Sequence, residues 1–344
     1  MNTNPSPSTP ATPAPGTRSM KNWRTIQGSA VTFGPVPSRR LGQSLGINNI
    51  PPKICSYACV YCQLGRTLTM QTERTDFYDP QRIFEEVRKK VEEVTGAGEP
   101  VDYLAFVPDG EPTLDLNLGR SIDLLRPLGI KIAVITNSSL IWREDVREEL
   151  ARADWVSLKV DSVREEVWRL IDRPHGKLRL SQILDGALAF SDSFSGRLVT
   201  ETMLVEGVND STELLEKLSE FLTQLSPETA YLAIPTRPPA EANVRAPNET
   251  AITQAWSILS GTLDNVELLT GYEGNTFFSG GRVDEDLLAI TSVHPMRADA
   301  VETLLARRGA DRSVVRQLVD EGELVEVDYQ GQSFLMRKLG ACRE

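Results

Sequence analysis

The sequence predicts an α/β protein. A partial parallel (β/α)6 barrel spans residues 23–280, and a small winged-helix-like domain follows over residues 281–344. Three observations carry this expectation. Short β-branched apolar runs alternate with amphipathic stretches, the pattern of βα units on a parallel sheet. Six repeats, counting a first strand before residue 55, are too few to close an eight-stranded barrel. Near Gly280–Gly281 the alternation stops, and three short helical patterns and a hairpin take its place.

The elements follow in order. Residues 1–22, rich in Pro, Ser, Thr and Ala, offer nothing to bury and read as a disordered tail, with Met20 a second candidate start. They hold no apolar segment of the kind a secretory leader needs, so a cytoplasmic protein is expected. From Thr32, FGPVPSRRLGQSLGINN fits a loop and a first strand leading into a cysteine cluster. Later strands are expected at Tyr103–Val107, Ile130–Ile135, Trp155–Val160, Leu198–Val205 and Ala230–Ile234. Helices are expected at Pro80–Val94, Leu118–Leu128, Arg143–Ala151, Val163–Ile171, Leu180–Ala189, Ser211–Leu225 and Glu249–Thr262. Beyond Gly281, helices at Asp284–Ile290, Pro295–Arg307 and Arg312–Asp320 precede a hairpin, Glu323–Tyr329 and Gln332–Arg337, turning at Gln330–Gly331.

Composition narrows the function classes. Of 344 residues 40% are hydrophobic and 25% charged, as in ordinary globular proteins, and no apolar run approaches the roughly 20 residues of a spanning helix. A membrane partner is therefore not expected. The 37 Lys and Arg against 48 Asp and Glu give a net charge of −11, which argues against sequence-blind binding along nucleic acid.

Three of the four cysteines, Cys55, Cys59 and Cys62, fall within eight residues, and Cys342 stands near the C-terminus. A disulfide framework spreads its cysteines; a clustered set in a reducing compartment binds metal or does redox work. Three thiolates on one short loop can each hold a corner iron of a cubane 4Fe–4S cluster, leaving one iron open to an outside ligand. A zinc site would need a fourth ligand, and the two histidines, His175 and His294, are remote in sequence.

The run CSYACVYC resembles the CxxxCxφC signature of the radical S-adenosylmethionine (SAM) enzymes, with Tyr61 as the aromatic residue. The resemblance implies a radical SAM barrel. It also implies a 4Fe–4S cluster whose open iron chelates SAM, reductive cleavage to a 5′-deoxyadenosyl radical, and an electron donor such as flavodoxin or ferredoxin. Gly110-Glu111-Pro112, after the second strand, resembles the family's GGEP motif, which holds the SAM ammonium; Asp109 departs from it where a glycine is usual. The alternative is an ordinary strand-to-helix turn. Thr136 and Asn137 stand where the family carries Thr-Asn, and could instead cap the next helix. In the next strand Ser157, Lys159 and Asp161 share a face, where family members set polar residues against SAM. A lysine in an apolar strand needs a ligand or a partner, here Asp161. Gly207 and Asn209 resemble the adenine-side segment, though Gly-x-Asn-Asp is also a turn.

Among these enzymes the chain is similar to the branch related to tRNA wyosine synthesis, through FGPVPSRRLGQSLGIN, IDRPHGKL and LVEGVNDS. That branch carries a second cysteine-held cluster, and Cys342 alone cannot supply one, so the resemblance extends to radical SAM chemistry and not to that product. The substrate stays open: an RNA, a peptide or a small molecule. Two further residues lie in loops, His175 after the fourth expected helix and Arg237 after the sixth expected strand. His175 could donate a proton or serve structure, and Arg237 could grip an anion or stiffen a loop. The expected recognition helix is poor in bases, with seven acids to five bases over residues 311–344, which favours a protein-binding or dimer-forming module over a DNA reader. An iron–sulfur sensor with a DNA-binding tail and a glycyl-radical activase are the competing readings.

Overall fold

A computed structural model describes residues 31–271, 274, 275 and 277–338. The expected tail at 1–22 and Cys342 lie outside the described residues. Alternating apolar residues build the main sheet. Its strands are β1 (Thr32–Ser38), β2 (Gly42–Ile47), β5 (Tyr103–Phe106), β6 (Lys131–Thr136), β7 (Trp155–Lys159), β8 (Arg197–Met203), β9 (Thr229–Ala233) and β10 (Val266–Leu269), adjacent in that order. Short β3 (Ile54–Cys55) and β4 (Thr69–Met70) pair with each other beside it.

From β2 to β10 every pairing is parallel, and β1 adds an antiparallel edge. The two edge strands do not pair with each other among the described residues, so the sheet is a curled half-barrel. The six expected parallel strands are β2 and β5 to β9. Strand β10 was not anticipated, because only the last residue of VELL is buried and neither an alternation nor an apolar run marks it. Pro35 and Pro37 fit β1 because an edge strand tolerates missing donors.

The two-residue period sorts side chains into two cores. Leu104, Phe106, Val134, Val156, Leu158 and Leu232 face the helical layer. Ala105, Ala133, Trp155, Val199, Tyr231 and Leu269 face the concave side. The helical layer comprises α1 (Pro80–Gly96), α2 (Leu118–Leu125), α3 (Glu144–Leu150), α4 (Glu165–Ile171), α5 (Leu180–Ser193), α6 (Thr212–Leu225) and α7 (Glu249–Ser260). Helix α1 starts where Asp79 accepts from the backbone N–H of Gln81 at 2.9 Å with Pro80 in the first turn, and it buries Ile83 and Val87, four apart.

Helices α8 (Val283–Thr291), α9 (Ala298–Arg307) and α10 (Ser313–Asp320) follow, with β11 (Met296–Arg297), β12 (Leu324–Tyr329) and β13 (Gln332–Arg337) in the order β11-β13-β12. Helix α9 begins later than expected because Met296 and Arg297 pair with β13. The apolar cluster of this segment, including Leu287, Leu304 and Leu335, also takes in Phe33 and Val36 of β1. No helix among the described residues is long and apolar enough to cross a membrane.

Candidate cofactor site

The C-terminal ends of the parallel strands form the rim where side chains can converge. The connection after β2 carries the cysteines, and two backbone seams hold it. On one side Ile54 bridges Gly110, and its carbonyl accepts from the N–H of Glu111 at 3.2 Å. Gly110 has φ +153°, and a Cβ on it would stand 2.0 Å from that carbonyl oxygen. On the other side the chain after α4 lies along the loop. Val60 N–H donates to the Ile171 carbonyl at 2.9 Å, Ala58 N–H to that of Asp172 at 3.0 Å and His175 N–H to that of Ser56 at 2.9 Å. The Arg173-Pro174-His175 stretch thus bounds the loop with its backbone. The His175 ring is turned to the N–H of Lys177, at 3.2 Å, and is not in the cavity wall.

Cys55, Cys59 and Cys62 are free thiols lining one cavity of about 300 Å3. Tyr61, Gly110, Glu111, Thr136, Asn137 and Lys159 share its wall. Burial pushes the Cys55 thiol up to about 12, with the charge of Glu111 adding to it. Burial and then Asp172 push the Cys59 thiol well above its ordinary value, and burial raises Cys62. Thiolates in this cavity need cations to offset them. Among the described residues no three His, Cys, Asp or Glu side chains close on one point as a single ion demands, whereas a cubane takes each sulfur on a separate iron. Three thiols on one cavity wall fit an iron–sulfur cluster, which takes each sulfur on its own iron.

Glu111 is 1% exposed and satisfied by four donors. Oε1 accepts from Thr113 N–H at 3.0 Å, Thr113 Oγ1 at 2.6 Å and Thr136 Oγ1 at 2.6 Å; Oε2 accepts from Asn137 N–H at 2.7 Å. Burial raises its proton affinity and these donors oppose the rise. The carboxylate ties the turn after β5 to the end of β6, and Oε2 accepts from Asn137 N–H. Asn137 in turn donates through Nδ2 to Ser56 Oγ at 3.0 Å and to Cys55 Sγ at 3.5 Å.

Lys159 stands opposite Glu201 in the register of β7 and β8, donates to Glu201 at 2.7 Å and lies 3.7 Å from Asp161. Its Nζ lies 4.8 Å from the centre of the Tyr61 ring. Burial would lower the Lys159 ammonium, but Asp161 and Glu201 outweigh it and hold the proton more tightly than usual. Lys159 is therefore a fixed cation, not an amine nucleophile. Burial pulls the Glu201 carboxyl up, yet Lys159 and Arg40 hold it at about 2. Tyr61 donates to Asp161 and lies 3.1 Å from Asp172, which also faces Cys59 Sγ at 3.3 Å. Burial and Asp161 push the Asp172 carboxyl far above the carboxylate range.

Other expected residues stand outside the cavity wall. Pro112 is buried and opens a 3₁₀ turn, and Ser157 is buried deeper along β7. The Asp161 carboxylate anchors Met203 N–H at 2.7 Å as well as Tyr61. Asn209 spends its amide on backbone: Oδ1 accepts from Val205 N–H at 2.9 Å, and Nδ2 donates to the carbonyls of Asp161 and Met203, both at 2.9 Å. Gly207, φ +68°, supplies the left-handed turn before it. Arg237 does reach the wall, donating to Gln63 Oε1 at 2.9 Å and meeting His294 Nε2 at 3.1 Å. Buried His294 belongs to the C-terminal segment, which so touches the residue following Cys62 through one guanidinium. Lys53, Arg40, Asp172 and Glu201 escaped the sequence reading. Glu201 carried the signal that marked Lys159, a charge in an apolar strand, while Arg40 and Asp172 lay in turns where a charge is unremarkable.

A family model described as the radical SAM superfamily matches residues 49–218. The UPF0026 protein MJ1312 of Methanocaldococcus jannaschii is 47% identical over 311 residues, covering 90% of this chain and 96% of that protein. A UPF0026 protein of Helicobacter pylori is 30% identical over 280 residues, 80% of this chain and 88% of its own. Among solved structures, a radical SAM methyltransferase from Sphaerobacter thermophilus superposes with a TM-score of 0.52 at 15% identity over 66% of each chain, a likeness of fold.

Proposed function

The chain belongs to the radical SAM superfamily, and from that premise we propose that Cys55, Cys59 and Cys62 hold a 4Fe–4S cluster with which it cleaves SAM reductively and takes a hydrogen atom from a substrate. The observation that carries the reading is the convergence of three free thiols of one loop with Gly110, Glu111 and Asn137 on a single cavity at the strand ends. When bound, the reduced cluster supplies one electron to SAM, breaking its S–C5′ bond to give methionine and the 5′-deoxyadenosyl radical.

The protein's own part is placement. Gly110 lets the backbone of Ile54, the residue before Cys55, dock on the turn after β5, and Asn137 ties Cys55 to the end of β6. Glu111, in the cavity wall, would accept from the SAM ammonium through Oε2, which takes Asn137 N–H as its protein donor. Lys159, a cation braced by Glu201, suits a carboxylate. Tyr61, fixed by Asp161, offers an aromatic face beside the thiols. The apolar wall of Val107, Ile135, Ala233, Ile234 and Leu269 excludes water and stray donors. The electron is proposed to come from a small acidic donor such as a flavodoxin or ferredoxin in the cytoplasm. Gly110 and Glu111 in the cavity wall favour this reading over a sensor, which needs neither.

Anaerobic reconstitution with iron and sulfide, then SAM and dithionite, tests it. The protein should turn brown and release 5′-deoxyadenosine, and Cys59→Ala should lose both. A loaded wild-type protein that leaves SAM intact would refute the proposal.

A further inference from the structure

We propose that Lys53 and Asp109 form a buried clasp that fixes the geometry of the three-thiol loop, making both positioning residues of the cluster. The inference rests on the cluster reading above. Its starting point is the departure at Asp109, where the family motif carries a glycine.

Lys53 sits two residues before Cys55, in a left-handed turn at φ +64° that side chains rarely adopt. Its backbone is used in both directions. The N–H donates to the Asp109 carbonyl at 2.7 Å, and the carbonyl accepts from Leu68 N–H at 3.1 Å and Thr69 N–H at 3.0 Å. The ammonium donates to the carbonyl of Leu64, two residues past Cys62, and lies 3.3 Å from Asp109 Oδ2. One residue thus joins the stretch before the cysteines, the stretch after them and the end of β5.

The two side chains are 8% and 6% exposed. A buried ion pair is dispensable for stability when both members go, but removing one leaves an uncompensated charge. A glycine at 109 would leave the Lys53 ammonium in that state. Three sulfurs on a flexible loop would wander, whereas a cubane fixes their separations. Closing the loop at 53 and 64 removes that freedom before the cluster assembles. Neither side chain lines the cavity, so the clasp acts on the thiols through the loop.

The test measures iron loss from reconstituted protein to bathophenanthroline disulfonate, with the electron paramagnetic resonance spectrum of the reduced cluster and the melting temperature of the cluster-free protein alongside. Lys53→Met and the near-isosteric Asp109→Asn should each speed iron loss by roughly tenfold and alter the resonance line shape. The double variant should be no faster than the faster single one, because both act through one contact. Lys53→Arg, which keeps a cation, should stay within about threefold of wild type. If Lys53→Met does not fold, Asp109→Asn decides. The proposal is overturned if single variants stay within twofold of wild type with an unchanged spectrum, if their effects multiply, or if iron loss only tracks a lowered melting temperature. A wild-type protein that loads no cluster overturns the cluster reading and the clasp together; a loaded one with indifferent variants overturns the clasp alone.

Discussion

Replacing Gly110 with alanine adds one methyl group at the tightest point of the site. The added Cβ would lie 2.0 Å from the Ile54 carbonyl oxygen and 2.8 Å from Ile50 Cδ1. Ordinary contact begins at 3.4 Å, so the oxygen must retreat by 3.4 − 2.0 = 1.4 Å. The Ile50 side chain can rotate; the carbonyl cannot move without its strand. Cys55 is the next residue, and its thiol goes with it. Functional constellations tolerate displacements of only about 0.5 Å, so the third sulfur falls out of reach of a cubane held by the other two. The substitution also forces a side chain into φ +153°, at about 1–3 kcal/mol, and overpacks the seam by another 1–3 kcal/mol. Gly110→Ala is expected to bind less than a tenth of the wild-type iron and form 5′-deoxyadenosine at a correspondingly reduced rate. Urea unfolding of the cluster-free protein should show a loss of about 2–6 kcal/mol. A variant that loads a full cluster with stability within about 1 kcal/mol of wild type would refute the steric argument.

Glu201 predicts an acid limb of stability. Lys159 and Arg40 hold its folded carboxyl at about 2 against an ordinary 4.5, so its contribution, about 3 kcal/mol, is present above pH 4.5 and is lost as pH falls toward about 2. Glu201→Gln should flatten the pH dependence of urea stability in that window; parallel slopes in the two proteins would remove the assignment. Asn209→Ala strips three hydrogen bonds from the backbone between β7 and β8 and should cost about 2–4 kcal/mol in melting experiments. SAM affinity measured by calorimetry on the loaded protein should change less than threefold. A tenfold loss of affinity with unchanged melting would return Asn209 to the cofactor site.

The half-barrel and the thiol loop were legible because their signals are local. A two-residue apolar period marks a strand, and CSYACVYC marks the loop within eight residues. Lys159 was legible as a charge in an apolar strand, but its nearer partner was not. The sequence brings Asp161 two residues away, while register brings Glu201 from 42 positions on. Asp109 stood out as a departure, yet only the three-dimensional turn at Lys53 shows what the carboxylate serves. Gly207 and Asn209 resemble a binding segment, and their geometry is that of a turn, since Gly-x-Asn-Asp meets both demands with the same residues. Strand β10, four residues long and mostly exposed, carries too little pattern to be read.

Phe33 and Val36 near the start of the half-barrel pack among Leu287, Leu304 and Leu335, the first of which comes roughly 250 positions later. At about 5–20 residues per second a ribosome takes roughly 12–50 s to bridge that gap. Throughout that interval the nascent chain displays an apolar strand whose cover has not been made. Translation stopped before α8 would leave the same strand bare for good, a target for chaperones and proteases even with every thiol of the loop in hand.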